Sequence, residues 1–263
     1  ATGRSAKTIQ NVDDNLMLAT MRDVLRGVGR DTPSLNIHVH NEIPLGMGCG
    51  SSAAALVAGV ALASHFGRLG WSAHDVLVEA ARREGHPDNV AACVLGGFAA
   101  SAMREGNVDA VALQPPRPWQ ILLVLPDAAL STKSARGLLP DSYSRTDTVT
   151  NVQNVALLTA AFVSGDEALL RSAMQDRMHQ PYRESVCPLL PKLLPLAGRG
   201  AVLGVALSGA GPSVLLLVQA NAERKPVELL VRDALQAAGA NVELLWTAIA
   251  GPALLGGGIP EKV

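Results

Sequence analysis

Ile43-Pro44-Leu45-Gly46-Met47-Gly48-Cys49-Gly50-Ser51-Ser52-Ala53-Ala54-Ala55 decides how this chain is read. It runs from a strand end through a glycine-rich turn into an alanine-rich helix. Gly46, Gly48 and Gly50 reach φ values closed to other residues and let backbone approach backbone. The N–H groups at the helix start carry partial positive charge suited to a phosphate. Ser51 and Ser52 fall at the N-cap and first turn, where a hydroxyl caps the helix or reaches a Mg²⁺ ion. No Gly-Lys pair occurs in the chain, which excludes a lysine-bearing phosphate loop. Charge on a phosphate must therefore be met by Mg²⁺, backbone N–H groups and the helix dipole.

The surrounding chain reads as α+β. Asp13 or Asp14 caps a helix running toward Gly27, and Leu35, Ile37 and Val39 alternate as a half-buried strand leading to Pro44. After the glycine turn come a helix at 51–66, buried on most sides, and another near 74–83. Gly85 and Pro87 make 84–89 a loop. Trp119–Leu125 is a strand closed by Pro126-Asp127, and the stiff Gln114-Pro115-Pro116-Arg117-Pro118 run places a domain boundary there. Helices follow near 152–163, 166–178 and 188–196. Strands at 202–207 and 214–218 flank a Ser208–Ser213 turn, and a helix at 226–238 leads to a last strand near 242–247. The spacing predicts two domains, 1–117 for nucleotide and 118–263 with a ferredoxin-like α+β pattern.

Composition narrows the classes. With 263 residues, 48% of them apolar, the chain can bury substantial cores. A formal net charge of −1 gives no electrostatic case for nucleic acid. The apolar run 53–63 is too short to span a bilayer, and the first ten residues lack a hydrophobic signal core. Cys49, Cys93 and Cys187 have no metal-ligand spacing and suit a reducing cytoplasm.

Two further segments, Glu84-Gly85-His86-Pro87-Asp88-Asn89-Val90 and Leu207-Ser208-Gly209-Ala210-Gly211-Pro212-Ser213, join the glycine loop in an order that resembles the GHMP family of small-molecule kinases. The first of them looks most like the homoserine kinase branch. Leu95–Phe98, Leu130–Arg136 and His179–Arg183 are similar to segments of that branch in the same order. The resemblance implies a β-α-β-rich nucleotide-binding domain and a ferredoxin-like C-terminal domain. It implies ATP as co-substrate, Mg²⁺, and transfer of phosphate to the side-chain hydroxyl of L-homoserine on the way to threonine. A homodimer, free of nucleic acid and membrane, is also implied. Another GHMP kinase, or an inactive nucleotide-binding relative, is the alternative. Relatives open with a Pro-rich strand region carrying an Asn-Leu-Gly-Pro-Gly-Phe-Asp-like segment. Here Asp13–Leu16 already resembles the stretch beyond that region, so the region is expected to be missing.

The resemblance places ATP on Pro44 to Ala54 and on Gly209 and Gly211, and the metal on Ser52 and Glu84, with Glu79 as the other carboxylate. Asn89 stands where many relatives carry an aspartate base. An amide cannot accept a proton at neutral pH, so Asn89 orients the accepting hydroxyl, with Asp88 as base or orienter and His86 a further possible base. A loose phosphoryl-transfer transition state asks little of a base. The substrate carboxylate calls for a guanidinium, and the matching segments offer Arg136, beside Thr132, and Arg183; His179 and Tyr182 then orient the Arg183 loop. Met47 and Cys49 depart from the family pattern. A thiol beside a helix N-terminus is expected to be reactive there.

Overall fold

An apolar helix can be buried on most of its surface only if other helices flank it, and the helix following the glycine turn is surrounded in this way. In the computed structural model, which describes residues 1–127, 137–236 and 239–255, the chain divides into two compact units. The first comprises Ala1–Pro44, Gly50–Ala112 and Ala250–Val263; the second comprises Leu45–Cys49 and Leu113–Ile249.

In the first unit, β1 (Thr2–Gly3) and α1 (Ala6–Ile9) precede α2 (Leu16–Gly27), and β2 (His40–Asn41) pairs in parallel with β1. Next come α3 (Ser51–Gly67), α4 (Ala73–Glu84), α5 (Asp88–Leu95) and a hairpin of β3 (Phe98–Arg104) and β4 (Asn107–Leu113). α3 packs against α2, α4 and α5. Its Ala53, Val57, Val60 and Ala63 share a core with Met21, Val24 and Leu25 of α2, Val76, Leu77, Ala80 and Ala81 of α4, and Val90, Ala91 and Val94 of α5. Each large aliphatic side chain buried this way contributes roughly 1.5–3 kcal/mol. Gly59 sets the crossing with α2, since a methyl there would meet the Met17 carbonyl and the Thr20 side chain. α4 starts with a reciprocal capping box between Ser72 and Asp75 and stops at Gly85, at φ 85°.

The second unit is built on a four-stranded antiparallel sheet. β5 (Gln120–Pro126) is followed by α6 (Arg145–Ser164), α7 (Glu167–Ala173), α8 (Gln180–Arg183) and α9 (Leu190–Leu193). β6 (Val202–Leu207), β7 (Val214–Val218), α10 (Arg224–Gln236) and β8 (Val242–Ala248) complete it. The spatial order is β6-β7-β5-β8, with Leu122 opposite Leu216 and Trp246. Helices thus separate the first strand from the second and the third from the fourth, the split β-α-β arrangement of a ferredoxin-like fold. Leu122, Val124, Val214, Leu216 and Val218 bury against Leu190 and Leu193 of α9 and Val227, Val231 and Leu235 of α10.

Several expectations need correction. Residues 35–39 alternate in burial as predicted, yet the ladder is confined to His40–Asn41, because β1 pairs for only two residues. α2 is capped by Asn15, whose side chain accepts from Leu18 N at 3.2 Å, in place of Asp13 or Asp14. Asp88 and Asn89 sit in the first turn of a helix that the loop reading did not contain; Pro87 precedes the helix and so breaks nothing. The β3–β4 hairpin was not anticipated, although Glu105-Gly106, both at positive φ, makes the two-residue turn such hairpins favour. The helix expected over 166–178 stops at Ala173, because Asp176 accepts from the backbone N–H groups of Met178, His179 and Gln180 and restarts the chain as α8. The helix expected over 188–196 is the single turn of α9 continued as 3-10 turn. Chain passage between units falls at Ala112–Leu113, and the segment from Ala250 belongs with the first unit.

Candidate functional site

Within the second unit, the short stretch Leu45–Cys49 lies against the turn that follows β6. Gly46, Gly48 and then Gly50 have φ of 70°, 73° and 78°. Ser208 Oγ donates to the Gly48 carbonyl at 3.0 Å. A methyl on Gly48 would overlap the Ser208 carbonyl and lie 2.8 Å from that of Gly211; one on Gly209 would lie 2.9 Å from the Gly48 carbonyl. The turn is closed internally by Ser208 N to the Ser213 carbonyl and Gly211 N to the Ser208 carbonyl, both at 2.9 Å. Ser213 is wholly buried, and its hydroxyl has no hydrogen-bond partner among the described residues. Cys49 is half-buried, its Sγ 3.7 Å from the Met47 carbonyl.

Arg183 stands beneath the same turn. It is 6% exposed and its Nη1 donates to the Gly209 carbonyl at 3.4 Å. Burial pushes the neighbouring Cys187 thiol up, with the Arg183 charge opposing. Gln180, also on α8, accepts from Leu207 N at 2.7 Å, which ties α8 to the residue before the turn. Asp176 holds the α8 start: burial alone would raise its carboxyl, but bonds from His179, Gln180 N, Asn151 and Met178 N hold it well below the usual carboxylate range. His179 thus acts on Asp176, and Tyr182 packs edge-on against Tyr143. Sequence reasoning gave no role to Asp176 or Gln180; an aspartate four residues before the start of a Pro-containing turn is the capping signal that marks the first of them.

Within the first unit, the α3 start opens at Gly50, which takes the N-cap position in the left-handed region and supplies no side-chain cap. Ser51 is therefore the first helical residue, not the cap. Seventeen residues of helix aim their positive end at this point, with no side-chain cap and no acidic residue in the first turn. Ser52 is exposed, and its hydroxyl has no hydrogen bond to a described residue. Ala53 is buried in the core that also holds Val90, in the first turn of α5, so both helix starts are anchored in one packed surface.

The two carboxylates offered for a metal differ in availability. Glu79 binds Arg82 through both oxygens, at 2.9 and 2.8 Å, and accepts from Arg83 at 2.6 Å. Burial would raise its carboxyl, but the arginines more than offset that and hold it low. Among the described residues, Glu84 pairs only with His86 Nε2, at 3.6 Å. No group of three or more His, Cys, Asp or Glu among the described residues could hold a metal by itself. One open carboxylate and one open hydroxyl fit a Mg²⁺ that shares its shell with phosphate and water. His86 also pairs through Nδ1 with Asp88, and Asp88 accepts from Asn89 N at 2.6 Å. The Asn89 side chain is half-buried with no hydrogen bond to a described residue, so its amide remains open to a ligand. Thr132 and Arg136 lie outside the described residues.

A glycine loop opening a helix, a turn packed upon it and a ferredoxin-like second unit define a class, and residues 15–97 and 158–241 match the GHMP kinases N-terminal and C-terminal domain models. The chain belongs to the GHMP kinase family. A homoserine kinase of Solibacter usitatus is 49% identical over 220 residues, covering 83% of this chain and 72% of that protein. One from Deinococcus radiodurans is 42% identical over 205 residues, covering 77% and 66%. The crystal structure of homoserine kinase from Cytophaga hutchinsonii, 24% identical, superposes with a TM-score of 0.75 over 91% of this chain and 78% of that one. Phosphomevalonate kinase of Streptococcus pneumoniae, at 13% identity and TM-score 0.59, shares the fold.

Proposed function

We propose that this chain transfers the γ-phosphoryl group of ATP to the side-chain hydroxyl of L-homoserine, giving O-phospho-L-homoserine for threonine synthesis. The observation that carries the reading is the 49% identity to a homoserine kinase over 220 residues, 83% of this chain. Supporting it are the three left-handed glycines leading into an α3 start that no side chain caps.

In this reading the backbone N–H groups of 46–54 cradle the phosphates, and the Ser208–Ser213 turn, with Gly209 and Gly211, braces the loop. Mg²⁺, held by Ser52 and Glu84, supplies charge neutralisation on the phosphates when bound. Asn89 accepts from and orients the homoserine hydroxyl, and His86 and Asp88 fix the turn on which Asn89 stands. Asp88 is exposed and already accepts from Asn89 N, so it is cast as an orienter; the hydroxyl proton leaves late, to a phosphate oxygen. Arg183 and, by family resemblance, Thr132 and Arg136 hold the substrate's carboxylate. The protein works in the cytoplasm as a homodimer, as its relatives' likeness implies.

ADP release with Mg-ATP tests the reading, using L-homoserine beside mevalonate, shikimate and L-serine. Turnover selective for homoserine is expected. ATP binding with no acceptor-stimulated turnover would instead indicate an inactive relative, and preference for another alcohol a different GHMP specificity.

A further inference from the structure

No step of the proposed reaction uses a recess of about 340 Å³ in the second unit, between the α7–α8 segment and the helical turns after Cys187. Met174 and Leu194 give its lining an apolar part, Gln180 a buried amide, and Arg171, Arg177 and Glu184 exposed charges. Neither arginine side chain has a hydrogen bond or ion pair to a described residue. Asp176, although adjacent, cannot serve as their counter-ion. Its oxygens already accept from Asn151 at 3.0 Å and from the backbone N–H groups of Met178, His179 and Gln180 at 3.1, 2.7 and 2.5 Å.

Gln180 supplies the second observation. It is 6% exposed, and its oxygen is committed to Leu207 N at 2.7 Å. Its amide nitrogen has no partner among the described residues, yet it is not among the sealed, unsatisfied atoms, of which Ser213 Oγ is the one found there. The nitrogen therefore keeps contact with solvent, and Gln180 lines the recess together with the two unpaired arginines.

We infer that this recess binds a small organic monocarboxylate. Two guanidinium groups and an amide N–H match a carboxylate's oxygens. The apolar part of the lining takes a short aliphatic chain, and Glu184 in the same lining disfavours a second negative charge. The volume is at the low end for ligand sites and excludes a nucleotide. Because Gln180 also fixes the residue before Ser208, and Arg183 shares its helix, an occupant would touch the scaffold of the phosphate loop without entering it.

Isothermal titration of the full chain with butyrate, in saturating L-homoserine and Mg-AMP-PNP to fill the reaction site, is the test. Saturable one-to-one binding is expected, absent with butyramide, weakened at least ten-fold in the Arg171→Gln/Arg177→Gln double variant and about three-fold in either single variant. No saturable binding, or binding unchanged in the single variants, overturns the inference. Turnover without butyrate is measured separately, so a failed kinase assignment is distinguishable from a failed binding site.

Discussion

Replacing Gly48 by alanine sets the sharpest demand on the phosphate loop. The position has φ 73°, where an L side chain costs about 1–2 kcal/mol. The added methyl would overlap the Ser208 carbonyl and sit 2.8 Å from that of Gly211, both backbone atoms that cannot rotate away. Loop or turn must retreat by about 1 Å, a displacement on the scale that costs roughly 100-fold in rate when reacting groups are positioned by it. The retreat also stretches the 3.0 Å bond from Ser208 Oγ to the Gly48 carbonyl, worth about 1 kcal/mol. Gly48→Ala should therefore lower stability by about 2–3 kcal/mol, a melting shift of roughly 5–10 °C, and cut kcat/KM for ATP about 100-fold. The control is Gly200→Ala, at φ 55° with nothing within 4 Å of the added methyl. It carries the backbone strain alone and should shift melting by a few degrees while leaving turnover intact. Steady-state ADP release and thermal melts on both variants decide. A Gly48→Ala enzyme within two-fold of the parent in kcat/KM would refute the reasoning, since the close approach would then have no bearing on phosphate positioning.

Asn89→Leu should keep the fold and lower kcat by about 100-fold with little change in KM for ATP, because it removes an orienting amide and no core contact; unchanged kcat would exclude Asn89 from the reaction. Arg183→Lys retains the charge but loses the planar fork, so KM for homoserine should rise at least ten-fold, read from initial rates. Asp176→Asn should lower the melting temperature at neutral pH. The Asp176 carboxyl is held below its unfolded value of about 3.9, so its contribution is present above that pH and is lost as acid takes the folded carboxyl through its own lower value. The gap between parent and variant should thus close below about pH 4, and a gap independent of pH would contradict the assignment. Cys49 should alkylate ahead of Cys93 and Cys187, whose thiols burial pushes up, and Mg-ATP should slow it; equal labelling with and without nucleotide, read by mass spectrometry, would remove Cys49 from the phosphate site.

The ferredoxin-like half of the fold was legible residue by residue. Val202–Leu207 and Val214–Val218 are short apolar runs on either side of the Ser208–Ser213 turn, too short for a helix and of the length of a buried strand. In the first unit local signals misled where partners decide the outcome. Leu35, Ile37 and Val39 alternate as a strand should, but alternation specifies a face and not a neighbour. Proline at 87 read as a breaker because propensity does not distinguish a helix interior from a helix start. Of the candidate site, the three glycine motifs could be read from residue type alone. The choice between Glu79 and Glu84 could not: it depends on Arg82 and Arg83 both folding onto Glu79, a consequence of helix geometry only once the α4 register is known. Ser208's hydroxyl and Gln180's amide act across 160 and 27 residues of sequence, distances over which no local pattern carries information.

Gly97 N donates to the Ala250 carbonyl at 2.8 Å and Ala253 N to that of Val94 at 3.0 Å, and a methyl on Gly96 would collide with Gly251. The unit that starts the chain is therefore finished by residues made more than 150 positions later. During synthesis its α2–α5 core can gather early, but the seam along Val94–Gly97 stays open until the whole second unit has left the ribosome. Ordinarily the amino-terminal body folds first and waits; here it is the last to be sealed. A stop codon at Ala250 would leave all four strands of the ferredoxin-like sheet in place and damage the opposite unit instead, an effect that limited proteolysis would locate at the α5–β3 junction.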